Sequence, residues 1–117
     1  MKTTFYPTTF KPEPVEFFNI TSEFSSREKF SAKTIEGTFK LKSVILAEKE
    51  IGSEDIESVI YLVDINDRVI SSNSSILIRS FEELHNSFGD DMFNNCELRV
   101  MKKVSKGGRT FNYLTLA

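Results

Sequence analysis

The chain has 117 residues, 27% of them charged and 39% apolar, which suits one compact domain and leaves little room for a multidomain enzyme. Fifteen Lys and Arg against seventeen Asp and Glu give a formal net charge of −2, so no overall basic excess points to a polyanion partner. That average hides a segregation. All seventeen acids lie at or before Glu97, so residues 1–97 carry ten basic groups and a formal −7, while the last twenty residues carry Arg99, Lys102, Lys103, Lys106 and Arg109, a formal +5. A single cysteine, Cys96, excludes an intramolecular disulfide. A single histidine, His85, leaves the usual metal cages and Ser-His-Asp chemistry poorly supplied, so neither a metal nor a cofactor is expected.

The N-terminus, Met1-Lys2-Thr3-Thr4-Phe5-Tyr6-Pro7, has no apolar core of a signal peptide, and the longest apolar runs fall far short of the roughly 20 residues that span a bilayer. The expectation is a cytoplasmic protein with no membrane segment. All three prolines, Pro7, Pro12 and Pro14, fall in the first fourteen residues, so residues 1–14 read as an extended arm, with regular structure starting near Val15. An additional strand near Val15–Ile20 fits this reading. Seven of the fourteen aromatics lie within residues 1–30, which argues that the arm packs on its own domain or on a neighbouring subunit.

From Thr38 onward the signals are sharper. Phe39–Ala47 begins with period-2 alternation and becomes uniformly apolar, as in a long strand buried on both faces. Glu48–Glu57, with Gly52 and its acids, reads as a solvated loop. Ser58–Asp64 is β-branched and aromatic, a second strand, and Asn66-Asp67 turns it into a third over Arg68–Ser71. The serines from Ser71 to Ser75 suggest a surface loop. Ser80 with Glu83 resembles a capping box, Phe81, Leu84 and Phe88 share a helix face, and Gly89 supplies the stop, so a helix of two to three turns is expected. Glu97–Val104 and Thr110–Leu116 are two further strands joined by Ser105-Lys106-Gly107-Gly108. Three strands, a helix and two strands match an all-β, five-stranded OB-fold barrel over residues 15–117, with the helix between strands three and four. A two-sheet sandwich is the alternative architecture.

The last hairpin carries the chemistry. If Leu98 and Val100 face inward with Leu114 and Leu116, alternation sends Arg99, Met101 and Lys103 outward together with Phe111 and Tyr113. Cations neutralise phosphates and ring faces stack on unpaired bases without regard to sequence. The candidate nucleic-acid-binding residues are therefore Arg99, Lys102, Lys103, Lys106, Arg109, Phe111 and Tyr113. Lys40 and Lys42, which share a face of the first strand, and Tyr61 on the second strand stand in the second rank. The ordinary readings of the remaining special residues are structural: His85 half-buried on the helix, Cys96 a small core residue, and Glu48, Glu50, Glu54, Asp55 and Glu57 a solvated acidic loop. No P-loop, dinucleotide fingerprint or nucleophile elbow is present, so no catalytic residue is assigned.

The stretch Val69–Gly89, followed by Glu97–Leu116 with its Lys-Gly-Gly-Arg-Thr-Phe turn, resembles small single-stranded DNA-binding proteins of bacteriophages, especially those of lactic-acid bacteria. The resemblance covers the chain from Gly37 to its end. It implies an OB fold, a role in replication or recombination of phage DNA alongside other phage proteins, and a homodimer. The chain differs from bacterial homologues in ending on Tyr113-Leu114-Thr115-Leu116-Ala117 rather than on an acidic tail, and it has no Trp, leaving Phe and Tyr as stacking rings. The rival reading is a phage structural or adaptor β-barrel whose aromatic arm contacts neighbouring subunits.

Overall fold

A computed structural model of the chain describes residues 2–52 and 55–117. In chain order the elements are β1 (Lys2–Tyr6), α1 (Pro14–Thr21), β2 (Lys29–Ser31), β3 (Thr38–Phe39), β4 (Leu41–Ile51), β5 (Asp55–Asp64), β6 (Val69–Ser72), α2 (Ser75–Phe88), β7 (Leu98–Val104) and β8 (Thr110–Leu116). The five expected strands are all present, with the helix between the third and the fourth. The described residues are mostly β, with eight strands in two sheets: β1-β4-β5-β6-β2 and β3-β7-β8.

The first expected strand is one continuous run broken at Lys40 into β3, which pairs with β7, and β4, which pairs with β5. A register shift between Leu41 and Ser43 marks the bend. The outer edge of β6 is occupied by β2 in parallel register, Lys29 opposite Val69 and Ser31 opposite Ser71. The described ladders therefore form two sheets and do not run round as a closed barrel.

The uniformly apolar run of β4 is explained by its two buried faces. Val44 and Leu46 join Ile60, Leu62 and Ile70 in the main core, which also takes Leu77 and Phe81 from α2, Leu98 and Leu114 from the second sheet, and Met92 and Phe93 after the helix. Ile45, with Val63 and Val69, faces the other way, against Ile20 of α1 and the rings of Phe5, Phe10, Phe17 and Tyr61. The result is three layers: α1, the five-stranded sheet, and the second sheet with α2.

Four features differ from the sequence-based expectations. The first is the arm, which is not an extended segment preceding the structured domain: Lys2–Tyr6 is an edge strand, antiparallel to β4, with Phe5 opposite Ile45 and Tyr6 opposite Val44. Alternation sends Phe5 under α1 and Tyr6 into the main core, so these two rings of the arm pack within the chain's own fold, while Phe18 and Phe24 remain exposed. The second is Val15–Ile20, which is helical rather than a strand. Pro14 occupies the first helical turn, where its missing N–H costs nothing, and Glu16 complements the helix N-terminus.

The third is the acidic stretch: Ser53 and Glu54 lie outside the described residues, and the rest is a two-stranded extension of the β4–β5 hairpin rather than a loop. Glu48 pairs with Ser58 and Lys49 with Glu57, and Gly52 takes a positive φ of 77° near its tip. Backbone pairing overrides a composition that favours a loop. The fourth is the start of α2, which is capped at Ser74, whose hydroxyl accepts from the Leu77 N–H at 3.3 Å. Ile76-Leu77-Ile78 are therefore helical. Ser80 is mid-helix: it donates back to the Leu77 carbonyl at 2.6 Å and accepts the Leu114 N–H at 2.8 Å, closing part of the free edge of β8.

A polar clasp holds the segment after β1. The Thr8 N–H and hydroxyl donate to Asp90 Oδ2 at 3.1 and 2.7 Å, and His85 Nε2 lies 2.9 Å from Asp90 Oδ1. Beside it, the ring of Tyr6 packs edge-on against Phe81 and His85, with centroids 5.0 and 4.8 Å apart. The bonds from His85 and then from Thr8 hold the Asp90 carboxyl down to about 2. Because this lies below the unfolded value of about 3.9, the contribution of Asp90 to stability is fully present above about pH 4 and is lost as the pH falls towards 2. Thermal melts of the native protein are expected to lose more between pH 4 and pH 2 than those of Asp90→Asn. Parallel curves for the two proteins would show that the clasp adds nothing.

Candidate nucleic-acid interface

The β7–β8 register sets the site. Arg99, Met101 and Lys103 stand opposite Thr115, Tyr113 and Phe111 on one face, while Leu98 and Val100 stand opposite Leu116 and Leu114 on the other. The outward placement of Arg99, Lys103, Phe111 and Tyr113 follows the expected alternation. Leu98 and Leu114 are buried and Val100 is half-buried, but Leu116, expected inside, is 44% exposed because it lies at the end of the hairpin beyond the core.

Phe111 and Tyr113 are half-buried, their ring centroids 6.5 Å apart and inclined at 47°. Together with Lys103 they form one wall of a groove of about 500 Å³ whose other wall is α2, through Ile76, Arg79, Ser80 and Glu83. Arg79 is a member of this site that the sequence reading missed. Once the helix begins at Ser75, Ile76, Arg79 and Glu83 fall at i, i+3 and i+7 and so share one face, whereas a helix starting at Ser80 leaves Arg79 outside it.

The charge around the groove is free. Arg99, Lys102, Lys103, Lys106 and Arg109 are all exposed, and none forms an ion pair among the described residues. Lys106 and Arg109 flank the turn closed by the Gly108 N–H to Ser105 carbonyl bond of 2.9 Å, with Gly108 at a φ of 81°. Lys102 points away from Lys103, opposite Asn112 on the other face. With Arg99 and Met101 it lines a second concavity along β7 that also takes Lys33 and Glu36. Lys33 is the other cation the sequence reading did not single out.

The second-rank candidates lie elsewhere. Lys42 is ion-paired with Asp67, and Lys40 sits half-buried in a hollow with Asp64, Arg68 and Glu97; neither lines the aromatic groove. Tyr61 packs under α1, its hydroxyl donating to the Thr21 carbonyl at 3.2 Å, and burial raises its phenol above the usual value. Its ring fills the second core rather than offering a stacking platform.

No family model matches the chain, and no solved structure matches it. A curated shikimate kinase of Chlamydia pneumoniae is 33% identical over an alignment of 57 residues that covers 43% of this chain and 32% of the length of that kinase. The sequence holds no Gly-x-x-x-x-Gly-Lys-Ser/Thr loop of the kind that cradles nucleotide phosphates in P-loop kinases.

Among the described residues no three His, Cys, Asp or Glu side chains come together as a metal site, and no helix is long and apolar enough to cross a membrane. What the groove offers chemically is two adjacent half-buried rings beside the cations Lys103 and Arg79.

Proposed function

We propose that this chain binds single-stranded DNA without reading its sequence, as a non-catalytic module in phage DNA replication or recombination. The observation that carries the reading is the pair of neighbouring rings, Phe111 and Tyr113, beside Lys103 and Arg79 on a hairpin that carries five exposed cations with no acidic partner among the described residues. Stacked bases would lie along the groove between β8 and α2 and phosphates along Lys103, Arg79 and the turn cations. The acidic remainder of the chain favours one binding track over diffuse adhesion to duplex DNA.

In this reading the architecture is an opened OB arrangement. β3–β4, β5, β6, α2, β7 and β8 follow the OB chain order, and β2 takes the edge of β6 at which the last strand would otherwise close the barrel. The reading also includes a homodimer acting in the host cytoplasm, as the resemblance implies.

Anisotropy titrations of labelled oligo-dT at several salt concentrations test the proposal. Binding is expected to weaken with salt, with log K falling by about 0.7 per neutralised phosphate for each tenfold rise, or about 3.5 if all five hairpin cations are engaged. An absence of binding at low salt would sink it.

A further inference from the structure

Two stretches of strand have an outer edge with no backbone partner among the described residues, and their charges are opposite. β6 pairs with β5 only from Ile60 to Val63, which leaves the outer edge of residues 55–59 unpaired. β3 pairs with β7 only at Leu98 and Arg99, which leaves the outer edge of residues 100–104 unpaired. A concavity of about 510 Å³ lies between that edge and residues 33–37, and its Lys33, Arg99 and Lys102 outnumber Glu36. Open edges are where strands of another chain add, and chains that stay single cover or blunt them.

Each edge rejects its own kind. Two β7 edges side by side would bring Arg99, Lys102 and Lys103 against the same cations, and two β5 edges would bring Asp55 and Glu57 together. Like charges across a strand pair are destabilising, so only unlike edges match. We infer that the two edges pair between copies of this chain, residues 55–59 of one copy adding as a strand along residues 100–104 of another.

Alternation makes one facing favourable on both sides of the new ribbon. With Asp55 and Glu57 on the face of Arg99 and Lys103, opposite charges meet, and none of these four groups forms an ion pair within its own copy among the described residues. The other face then brings together Ile56 and Val104, each 65% exposed in the single chain. A phosphodiester backbone would answer the cations but has no donor for the β7 carbonyls, whereas a strand offers donors and acceptors in turn. Because the contact joins unlike edges, each copy keeps one free edge of either sign, and copies add in a row unless a rotation closes it. The inference goes beyond the single-strand reading and does not rest on it, since Phe111 and Tyr113 lie on β8, outside the contact.

Sedimentation velocity of the full chain, freed of nucleic acid, tests the pairing. The mass is expected to rise above that of one chain with increasing concentration at low salt, and association to weaken at least about tenfold at about 0.5 M salt, where exposed charges are screened. Asp55→Lys with Glu57→Lys, and separately Arg99→Glu with Lys103→Glu, are each expected to weaken association at least about tenfold, since attraction across the contact becomes repulsion. All four substitutions in one chain leave the formal net charge at the native −2 and exchange the signs of the two edges, so association is expected to return to within about threefold of native. Circular dichroism checks that each variant is folded. If a double variant is not, the single exchanges Asp55→Lys and Arg99→Glu, both at exposed positions, and the chain carrying the two together repeat the test. A native mass that never rises, reversed variants that associate as well as the native chain, or a folded fourfold variant that does not recover association would each overturn the inference.

Discussion

Replacing both Phe111 and Tyr113 by Ala is expected to weaken oligo-dT binding by at least about thirtyfold while leaving the protein folded. Each base stacked on an aromatic side chain is worth about 1–3 kcal/mol by alanine substitution, so losing two platforms should cost about 2–6 kcal/mol of binding. The folded state should tolerate the change because neither ring belongs to the core clusters. The main core takes only Leu114 from β8, and the two rings look into the groove beside α2. Affinity by anisotropy and stability by thermal melting must be measured on the same samples. A double variant that binds as tightly as the native chain would remove stacking from the proposal, and one that fails to fold would place the rings in the core. Lys103→Ala is the useful companion, since Lys103 stands directly opposite Phe111. It should lower affinity and reduce the salt slope by about 0.7, the signature of one lost phosphate contact.

The part of this site that was legible in the sequence rests on period 2. Once Glu97–Val104 and Thr110–Leu116 are strands, alternation alone puts Arg99, Lys103, Phe111 and Tyr113 on one face, and the register agrees. The same alternation puts Asn112 inward between Phe111 and Tyr113, but a polar residue at an inward position reads as an irregularity until its burial is known. Lys40 and Lys42 went astray because a local register shift breaks the face that even spacing predicts.

The arm was misread because proline spacing describes where chain regularity is interrupted, and says nothing of the five residues before Pro7. Those residues form a strand only because β4 offers an edge to pair with, a tertiary fact. Arg79 was hidden by a plausible but wrong cap: both Ser74 and Ser80 could begin a helix. Burial of Leu77 and Ile78 against the sheet favours the earlier start, and Ser80 serves β8 instead.

Asp64→Ala is expected to destabilise the protein by about 3 kcal/mol, the low end of the range for breaking a buried ion pair by removing one partner. Asp64 is only 2% exposed, and its carboxylate organises the whole β5–β6 turn. Oδ1 accepts the N–H groups of Asn66 and Arg68 at 3.0 and 2.8 Å, and Oδ2 accepts Arg68 Nε at 3.0 Å. Its own backbone closes the turn, receiving the Asp67 N–H and donating to the Arg68 carbonyl, both at 3.0 Å. Truncation would leave two backbone donors and a guanidinium without their acceptor. The Arg68 side chain is 32% exposed, so water recovers part of the loss, which is why the lower figure applies.

Asp64→Asn retains an oxygen for the two N–H groups and should cost less, about 1–2 kcal/mol, through the lost charge–guanidinium bond. The neighbouring pair gives the contrast. Asp67 meets Lys42 on the surface, both side chains are exposed, and Asp67→Asn, which keeps a residue tolerant of the positive φ at that position, should change stability by less than about 1 kcal/mol. Urea unfolding of the three variants orders them. A loss below about 1 kcal/mol for Asp64→Ala would show that Arg68 and the turn amides find water in solution, and that the sequence signal Asn66-Asp67 marks the turn without Asp64 being what holds it.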